Sequence, residues 1–295
     1  MLIEEYKRSL KMPEVEEIFD LIFYRPLGFL FVTSIYRSPI TPNHITILSM
    51  VTGLMAAWYF SIGVSTAILW GSLWYALANI LDCSDGQLAR LQKSGTLLGR
   101  IIDGMVDYIS SIAIFLGLGL GLSATGTSMW WLVVAGGLSS ALHAMFFDHY
   151  QSEFISTVRN QTNFLEREVQ QFTDEIRKRE LEQRNGIIIF IMKIYLWYLG
   201  LQKQSNTKKY MQQFNPESYL NENRMMIRCW SFLGPTTNRT MLIICALIGR
   251  VDIFLWIVVT LGNLWLLCCF ILQRHIHRRL EMAEGYSRVV EQKFR

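Results

Sequence analysis

Six apolar stretches punctuate this chain, at about 44–62, 65–92, 96–122, 129–150, 237–248 and 253–273. A helix that crosses a bilayer needs roughly 20 mostly apolar residues, and its backbone polar groups must bond within the segment. These runs therefore limit the chain to an all-α fold, an integral membrane six-helix bundle. Composition agrees, since 51% hydrophobic residues and a mean hydropathy of +0.25 exclude an ordinary soluble domain. Five cysteines without a CxxC pair read as reduced packing residues. The net charge of +4 says little alone, but its placement says more. Lys7, Arg8, Lys11, Arg25, Arg37, Lys93, the 151–235 stretch and the tail Arg274, Arg278 and Arg279 fall on one side of the six spans. Only Arg250 falls on the other. Lys and Arg collect on the cytosolic side, which puts both termini and the 82–107 segment there.

Between and around the spans lie two other kinds of segment. Val15, Ile18, Phe19, Ile22 and Phe23 recur at helical spacing opposite acidic positions. That pattern predicts an amphipathic helix over 14–24 lying in the membrane interface, broken at Pro26 and resumed over 27–36. Residues 151–235 are charged and rich in Gln and Asn, with a helical pattern over 164–181. Within them, 186–200 is apolar but too short to cross comfortably and carries Lys193, which predicts an interfacial or buried helix. The expected organisation is N-terminal interfacial helices at 1–40, spans one to four at 41–150, a cytosolic insert at 151–235, and spans five and six with a basic tail at 236–295.

The chemistry concentrates in ILDCSDGQLARLQKSGTLLGRIIDGMVDYIS. Ionisable groups inside membrane helices cost several kcal/mol unless they face a cavity or a counter-charge, so they mark function. Asp82 and Asp85 are three apart, and Asp103 and Asp107 four apart, so each pair shares a helix face. The short turn at 93–95 makes the two helices antiparallel and sets the pairs opposite each other. Such a cluster repels itself unless a divalent cation sits within it, and all-oxygen ligation suits Mg²⁺ or Mn²⁺. Gly86, Ala89 and Gly99 leave room beside the acids, and Arg90 offers a planar donor fork for phosphate or carboxylate. Arg100 and Arg239 are candidates for contact with an anionic acceptor.

The run Asp82-x2-Asp85-Gly86-x2-Ala89-Arg90-x8-Gly99-x3-Asp103-x3-Asp107 resembles the complete signature of the CDP-alcohol phosphotransferase family, all eight fixed positions present at the family spacing. Pro42-Asn43-x2-Thr46 is similar to the segment that opens the family's first span. The resemblance covers 14–150 well, 236–276 only as topology, and leaves 151–235 unexplained. It implies a membrane enzyme of phospholipid synthesis that moves a substituted phosphate, phosphatidyl in the favoured version, from a CDP-linked donor to an alcohol and releases CMP. It implies two divalent ions held by Asp82, Asp85 and Asp103, with Asp107 at the metal edge and serving as general base. It places Asn43, Thr46, Asp85, Gly86, Ala89, Arg90 and Gly99 around the nucleotide. It also implies a homodimer, a partnership with membrane lipid and no nucleic acid, in a bacterial-type cytoplasmic membrane. Two rivals stand beside this. A CDP-linked polar alcohol could be the donor, with a lipid or polar acceptor. From another class, the acids could relay cations or protons in a transporter.

Overall fold

The computed structural model describes residues 2–126, 128–159, 164–182 and 214–293, with 186, 188–190, 192, 193, 195 and 196 between them. Among the described residues all regular structure is helical. In chain order the helices are α1 (Leu2–Ser9), α2 (Arg25–Ile35), α3 (Pro42–Ile62), α4 (Ser65–Gln92), α5 (Leu97–Ala124), α6 (Trp130–Val158), α7 (Phe164–Leu181), α8 (Pro216–Ser231), α9 (Pro235–Leu247), α10 (Val251–Ile257) and α11 (Asn263–Lys293). Two compact units result. The first comprises Met1–Asp148 with Arg228–Cys269, the second His149–Ile227 with Phe270–Arg295.

In the first unit, local chemistry sets the helix ends. Pro42 occupies the first turn of α3, where its missing N–H costs nothing, and the Thr41 N–H donates to His44 Nδ1 at 3.3 Å. Gly63, at φ 77°, ends α3 in the left-handed region. Lys93 ends α4 the same way at φ 50°, a conformation unusual for a residue with a side chain, while the Ser94 N–H bonds back to the Ala89 carbonyl at 3.1 Å. Thr96 caps α5 by accepting from the Gly99 N–H at 2.9 Å.

Helix α3 packs along both α4 and α5. The α3–α5 approach depends on absent side chains. A Cβ on Gly117 would fall on the Ala57 carbonyl, and one on Gly121 on the Phe60 carbonyl. Small residues of this kind let membrane helices pack backbone to backbone. Phe60, Tyr75, Ile114, Leu118, Leu132, Phe254 and Leu255 form the buried core around this seam. Ile47, Leu48, Val51, Leu54 and Trp58 on α3, and Ile109, Ile112, Leu116 and Leu120 on α5, point outward. An apolar exterior of that extent matches lipid rather than water.

Among the described residues, four helical segments are long and apolar enough to cross a membrane: Pro42–Ile62, Leu98–Ala124, Trp130–Val158 and Val251–Met282. The chain is thus a multi-pass membrane protein. The six-span expectation also counts α4 and α9. Helix α4 carries Asp82, Asp85 and Arg90 in its C-terminal half, which lowers its apolar character. Helix α9 has 13 residues, about 20 Å of helix against a hydrocarbon core of roughly 30 Å.

The N-terminal segment departs from expectation in two ways. Residues 13–16 form turns, and helix begins only at Ile18. It then runs through a π-helical turn, Asp20–Tyr24, directly into α2, so Pro26 sits inside a continuous helix. The π turn closes with the Arg25 N–H on the Asp20 carbonyl, and this wider ring precedes a proline that falls where a first-turn donor is dispensable. The face is reversed only in part: Val15 is fully buried and Ile18 and Phe19 are half-buried. Glu16, Glu17, Asp20 and Arg25 are buried, whereas Ile22 and Phe23 are exposed.

In the second unit, buried Glu153 accepts from the Tyr219 hydroxyl at 2.8 Å and pairs with His277 Nε2 at 3.0 Å. Burial, then the Glu153 charge, pushes the Tyr219 phenol well up from its ordinary value. Gln273 donates to Asn223 at 2.8 Å beside them. The expectation for 186–200 falls largely outside the described residues.

Candidate active site

The carboxylates of Asp82 and Asp85 on α4 and Asp103 on α5 converge, each offering an oxygen within 4.8 Å of the others. The three- and four-residue spacings put this chemistry on one face of each helix, and the Lys93 reversal turns the chain back between them. Helix α3 closes one side. The Thr46 hydroxyl donates to Asp85 Oδ2, and a Cβ on Gly99 would stand 3.0 Å from Asn43 Oδ1. Thr46 thus meets α4, and Asn43 stands beside Gly99 of α5. The Arg90 guanidinium lies over Gly86, whose Cβ would meet both terminal nitrogens at 3.3 Å. Ala89, one residue earlier, is half-buried. Arg100 is exposed, three residues before Asp103.

Asp107 is placed differently from the other three. Arg239, from α9, donates Nη2 to Asp107 Oδ1 at 2.6 Å and Nη1 to Asp82 Oδ2 at 3.0 Å. The same Nη1 donates to Asn79 Oδ1 at 3.0 Å. A planar guanidinium holds its N–H donors in fixed directions and can bridge two acids in this way. Arg239 thus links α4 to α5 through their carboxylates, with its own side chain 11% exposed.

The N-terminal segment fixes this arrangement from below. Glu17 accepts from the backbone N–H groups of Thr236 and Thr237, at 3.1 and 2.7 Å, and from the Thr237 hydroxyl at 2.8 Å. These are the orphan donors of the first turn of α9, so Glu17 caps the helix that carries Arg239. Gly234 has no alternative here, because a Cβ would collide with the Glu17 carboxylate. Burial, reinforced by the charge of Asp20, pushes the Glu17 carboxyl up to about 7. Asp20 accepts from the Thr236 hydroxyl at 3.3 Å and from the Cys83 thiol at 3.3 Å, and Arg25 pairs with Glu16 at 3.1 Å. Farther along α4, Arg90 Nε donates to the Ser9 carbonyl and Gln87 to the Ser9 hydroxyl. Lys11, two residues on, stands within electrostatic reach of Asp103 and Asp107.

Sequence reasoning passed over Asn79, Glu17 and Lys11. Asn79 had a signal: an amide inside an apolar run, one turn before Asp82. Glu17 and Lys11 had none, because their roles arise only when the N-terminal segment meets α4 and α9.

The cluster fits a divalent cation by its own chemistry. Asp103 Oδ1 is buried without a hydrogen-bond partner. A buried carboxylate oxygen of that kind is costly unless something cationic meets it. The donors are all oxygen, the set that hard cations take.

Residues 39–161 match the family model for CDP-alcohol phosphatidyltransferase. The matched range holds all eight motif positions. Among its relatives, a phosphatidylinositol phosphate synthase of Corynebacterium glutamicum is 30% identical over 105 residues, 36% of this chain and 42% of the relative. An archaetidylinositol phosphate synthase of Pyrococcus horikoshii is 34% identical over 82 residues, 28% of this chain and 42% of the relative. The chain thus spans less than half the length of each relative, and Arg239 lies beyond the family range.

Proposed function

We propose that this chain transfers a lipid-bearing phosphate from a CDP-linked donor to a polar alcohol and releases CMP, as a step of phospholipid synthesis. The observation that carries this reading is the convergence of Asp82, Asp85 and Asp103 on one point, with Asp103 Oδ1 buried and unpaired, inside the family range. Both relatives are named for products that join a lipid phosphate to inositol phosphate, which favours a lipid on the donor and a polar, phosphate-bearing acceptor.

Each residue then has a task. Asp82, Asp85 and Asp103 would hold divalent cations, Mg²⁺ or Mn²⁺ and two in number, with Asp107 at their edge. Bound there, the cations supply charge stabilisation on the phosphoryl oxygens and the leaving nucleotide. Asp107 takes the acceptor's hydroxyl proton as the acceptor oxygen bonds to the phosphorus that carries the lipid. The phosphoanhydride P–O bond breaks and CMP departs with its electron pair. Arg239 on Oδ1 orients Asp107 and leaves Oδ2 for the proton. Asn43, Thr46, Gly86, Ala89, Arg90 and Gly99 border the cytidine and its phosphates. Gly86 admits the Arg90 guanidinium, and Gly99 admits Asn43. Arg100 and the spare N–H groups of Arg239 meet the anionic group of the acceptor. In this reading α4 and α9 complete six spans, the N-terminal helix lies at the interface, the site opens to the cytosol, two copies associate, and the membrane is a bacterial-type cytoplasmic one.

The test supplies purified protein in nanodiscs with CDP-diacylglycerol and a panel of polar alcohols that includes inositol phosphate, glycerol phosphate and serine. A parallel set offers CDP-choline or CDP-ethanolamine with diacylglycerol. CMP release in the first set, strongest with a phosphate-bearing acceptor, is expected. Release in the second set alone would reverse the donor assignment. Cation or proton flux without CMP in either set would replace the enzyme by a transporter.

A further inference from the structure

Asp82 belongs to two sets of contacts at once. It is one of the three carboxylates that converge within 4.8 Å, and it is also one of the two that Arg239 bridges. A guanidinium and a divalent cation both draw on the charge of that carboxylate, and each repels the other. The competition is strong because Arg239 is nearly buried, where charges are screened little. Nor can Arg239 easily withdraw, since the start of α9 is held by Glu17 on Thr236 and Thr237, by Asp20 on Thr236, and by the Tyr24 hydroxyl on Thr240 at 3.1 Å. Asn79 Oδ1 accepts from the same Nη1 that reaches Asp82, a neutral resting place beside the carboxylate.

We propose that Arg239 is the resident counter-ion of the carboxylate cluster and sets its cation affinity: it holds Asp82 and Asp107 in place across α4 and α5 when no cation is bound, and opposes the cation for Asp82. Four acids on two membrane helices would otherwise repel one another during folding. The arginine removes that repulsion in advance, at the expense of weaker cation binding. Two buried charges in contact with one carboxylate are thermodynamically coupled, and the coupling is reciprocal. On the cation Arg239 acts through Asp82 and Asp107, apart from its contact with the acceptor, and the account rests on the reading of Asp82, Asp85 and Asp103 as a cation site.

The experiment measures Mn²⁺ binding by calorimetry, and melting with Mn²⁺ or EDTA, for the full chain in nanodiscs. Wild type, Arg239→Gln and Arg239→Lys are compared. Arg239→Gln is expected to bind Mn²⁺ more tightly by about 5- to 150-fold, the usual range of coupling between two sites. Its EDTA form should melt below wild type, and Mn²⁺ should raise its melting temperature by more than it raises that of wild type. Arg239→Lys keeps the charge but loses the fork, so its affinity should fall between the two. A purely structural arginine would lower melting equally with and without Mn²⁺ and leave affinity unchanged, which would overturn the proposal. If the glutamine variant does not fold, an unchanged or weaker affinity in Arg239→Lys overturns it alone. Wild-type protein that binds no divalent cation would sink the cation-site reading itself, a different result from variants that bind as wild type does.

Discussion

Two groups of charge lie close together in the first unit, and their carboxylates are answered differently. Around Glu16, Glu17, Asp20 and Arg25 the charges are answered by the chain itself: an ion pair at 3.1 Å, two helix N–H groups, threonine hydroxyls and a thiol. Around Asp82, Asp85, Asp103 and Asp107 the account does not close. One arginine serves two of the acids, a threonine serves a third, and Asp103 keeps a buried oxygen with no partner. Burial separates the two groups only in part, since Asp85 is buried like Glu16, Glu17 and Asp20 but the Asp82 and Asp107 side chains are 23% and 42% exposed. Hydrogen bonding of the acids separates them further: Arg25 Nε is buried without a partner, yet both oxygens of Glu16, Glu17 and Asp20 meet donors, whereas a carboxylate left unmet by the fold leaves a place for a ligand.

The contrast breaks if the two groups respond alike to loss of a charge. Asp103→Asn should reduce CMP release by roughly a thousandfold or more, since the cation stabilisation at stake is several kcal/mol. Its melting temperature in EDTA should stay level or rise, because one member of a repelling set has become neutral. A large drop in melting would make Asp103 a structural acid like Glu17. Chelation should act in the same direction: EDTA abolishes turnover, and Mg²⁺ or Mn²⁺ restores it. Turnover that persists in EDTA would remove the cation from the cluster.

A smaller effect is expected in the N-terminal group. Glu17→Gln replaces one accepting oxygen by an amide donor against the α9 N–H groups, a loss of about 1–3 kcal/mol. The pH dependence has a definite sign. The Glu17 carboxyl lies at about 7 in the folded chain and near 4.5 once unfolded. Its contribution to stability is therefore fully present below about 4.5 and is lost as pH rises through about 7. Wild type should melt lower at pH 8 than at pH 5.5 on this account, and Glu17→Gln should melt lower than wild type at pH 5.5 with a flatter profile. An equal slope in both proteins would assign the pH response to another group.

The sequence made one of these groups legible and hid the other. Acids at three- and four-residue spacing stand out inside apolar runs, and helix α4 occupies the expected range 65–92. Asn43 and Thr46 stood out only through the resemblance of the segment that opens the first span. Periodicity also showed that Val15, Ile18, Phe19, Ile22 and Phe23 share a helical pattern, but not which face turns inward. In a membrane protein the apolar face can point to lipid while charges turn inward, and Ile22 and Phe23 are exposed while Glu17 and Asp20 are buried. Pro26 misled because a π turn before a proline leaves no sequence mark. The Arg239 bridge joins residues 157 positions apart to Asp82 and 132 apart to Asp107, a closure that no local pattern encodes.

The smallest effect should come from Gly99, and it sharpens the contrast because it touches the unfinished group without touching a charge. A Cβ there would stand 2.9 Å from Thr96 Oγ1 and 3.0 Å from Asn43 Oδ1. The threonine hydroxyl caps α5 and cannot retreat without loss of its bond to the Gly99 N–H, a bond worth about 1 kcal/mol. The asparagine is the softer neighbour, so Gly99→Ala should push Asn43 away from its place. If Asn43 borders the nucleotide, the KM for the CDP-linked donor should rise severalfold while kcat changes little, since a contact made equally in ground and transition states has been weakened. Melting should fall by a few degrees at most. Asn43→Ala should reproduce the KM change with no loss of melting, because it leaves the Thr96 cap intact. A KM change in Gly99→Ala that Asn43→Ala fails to reproduce would detach Asn43 from the nucleotide and place the effect in the first turn of α5, which positions Asp103 one turn later.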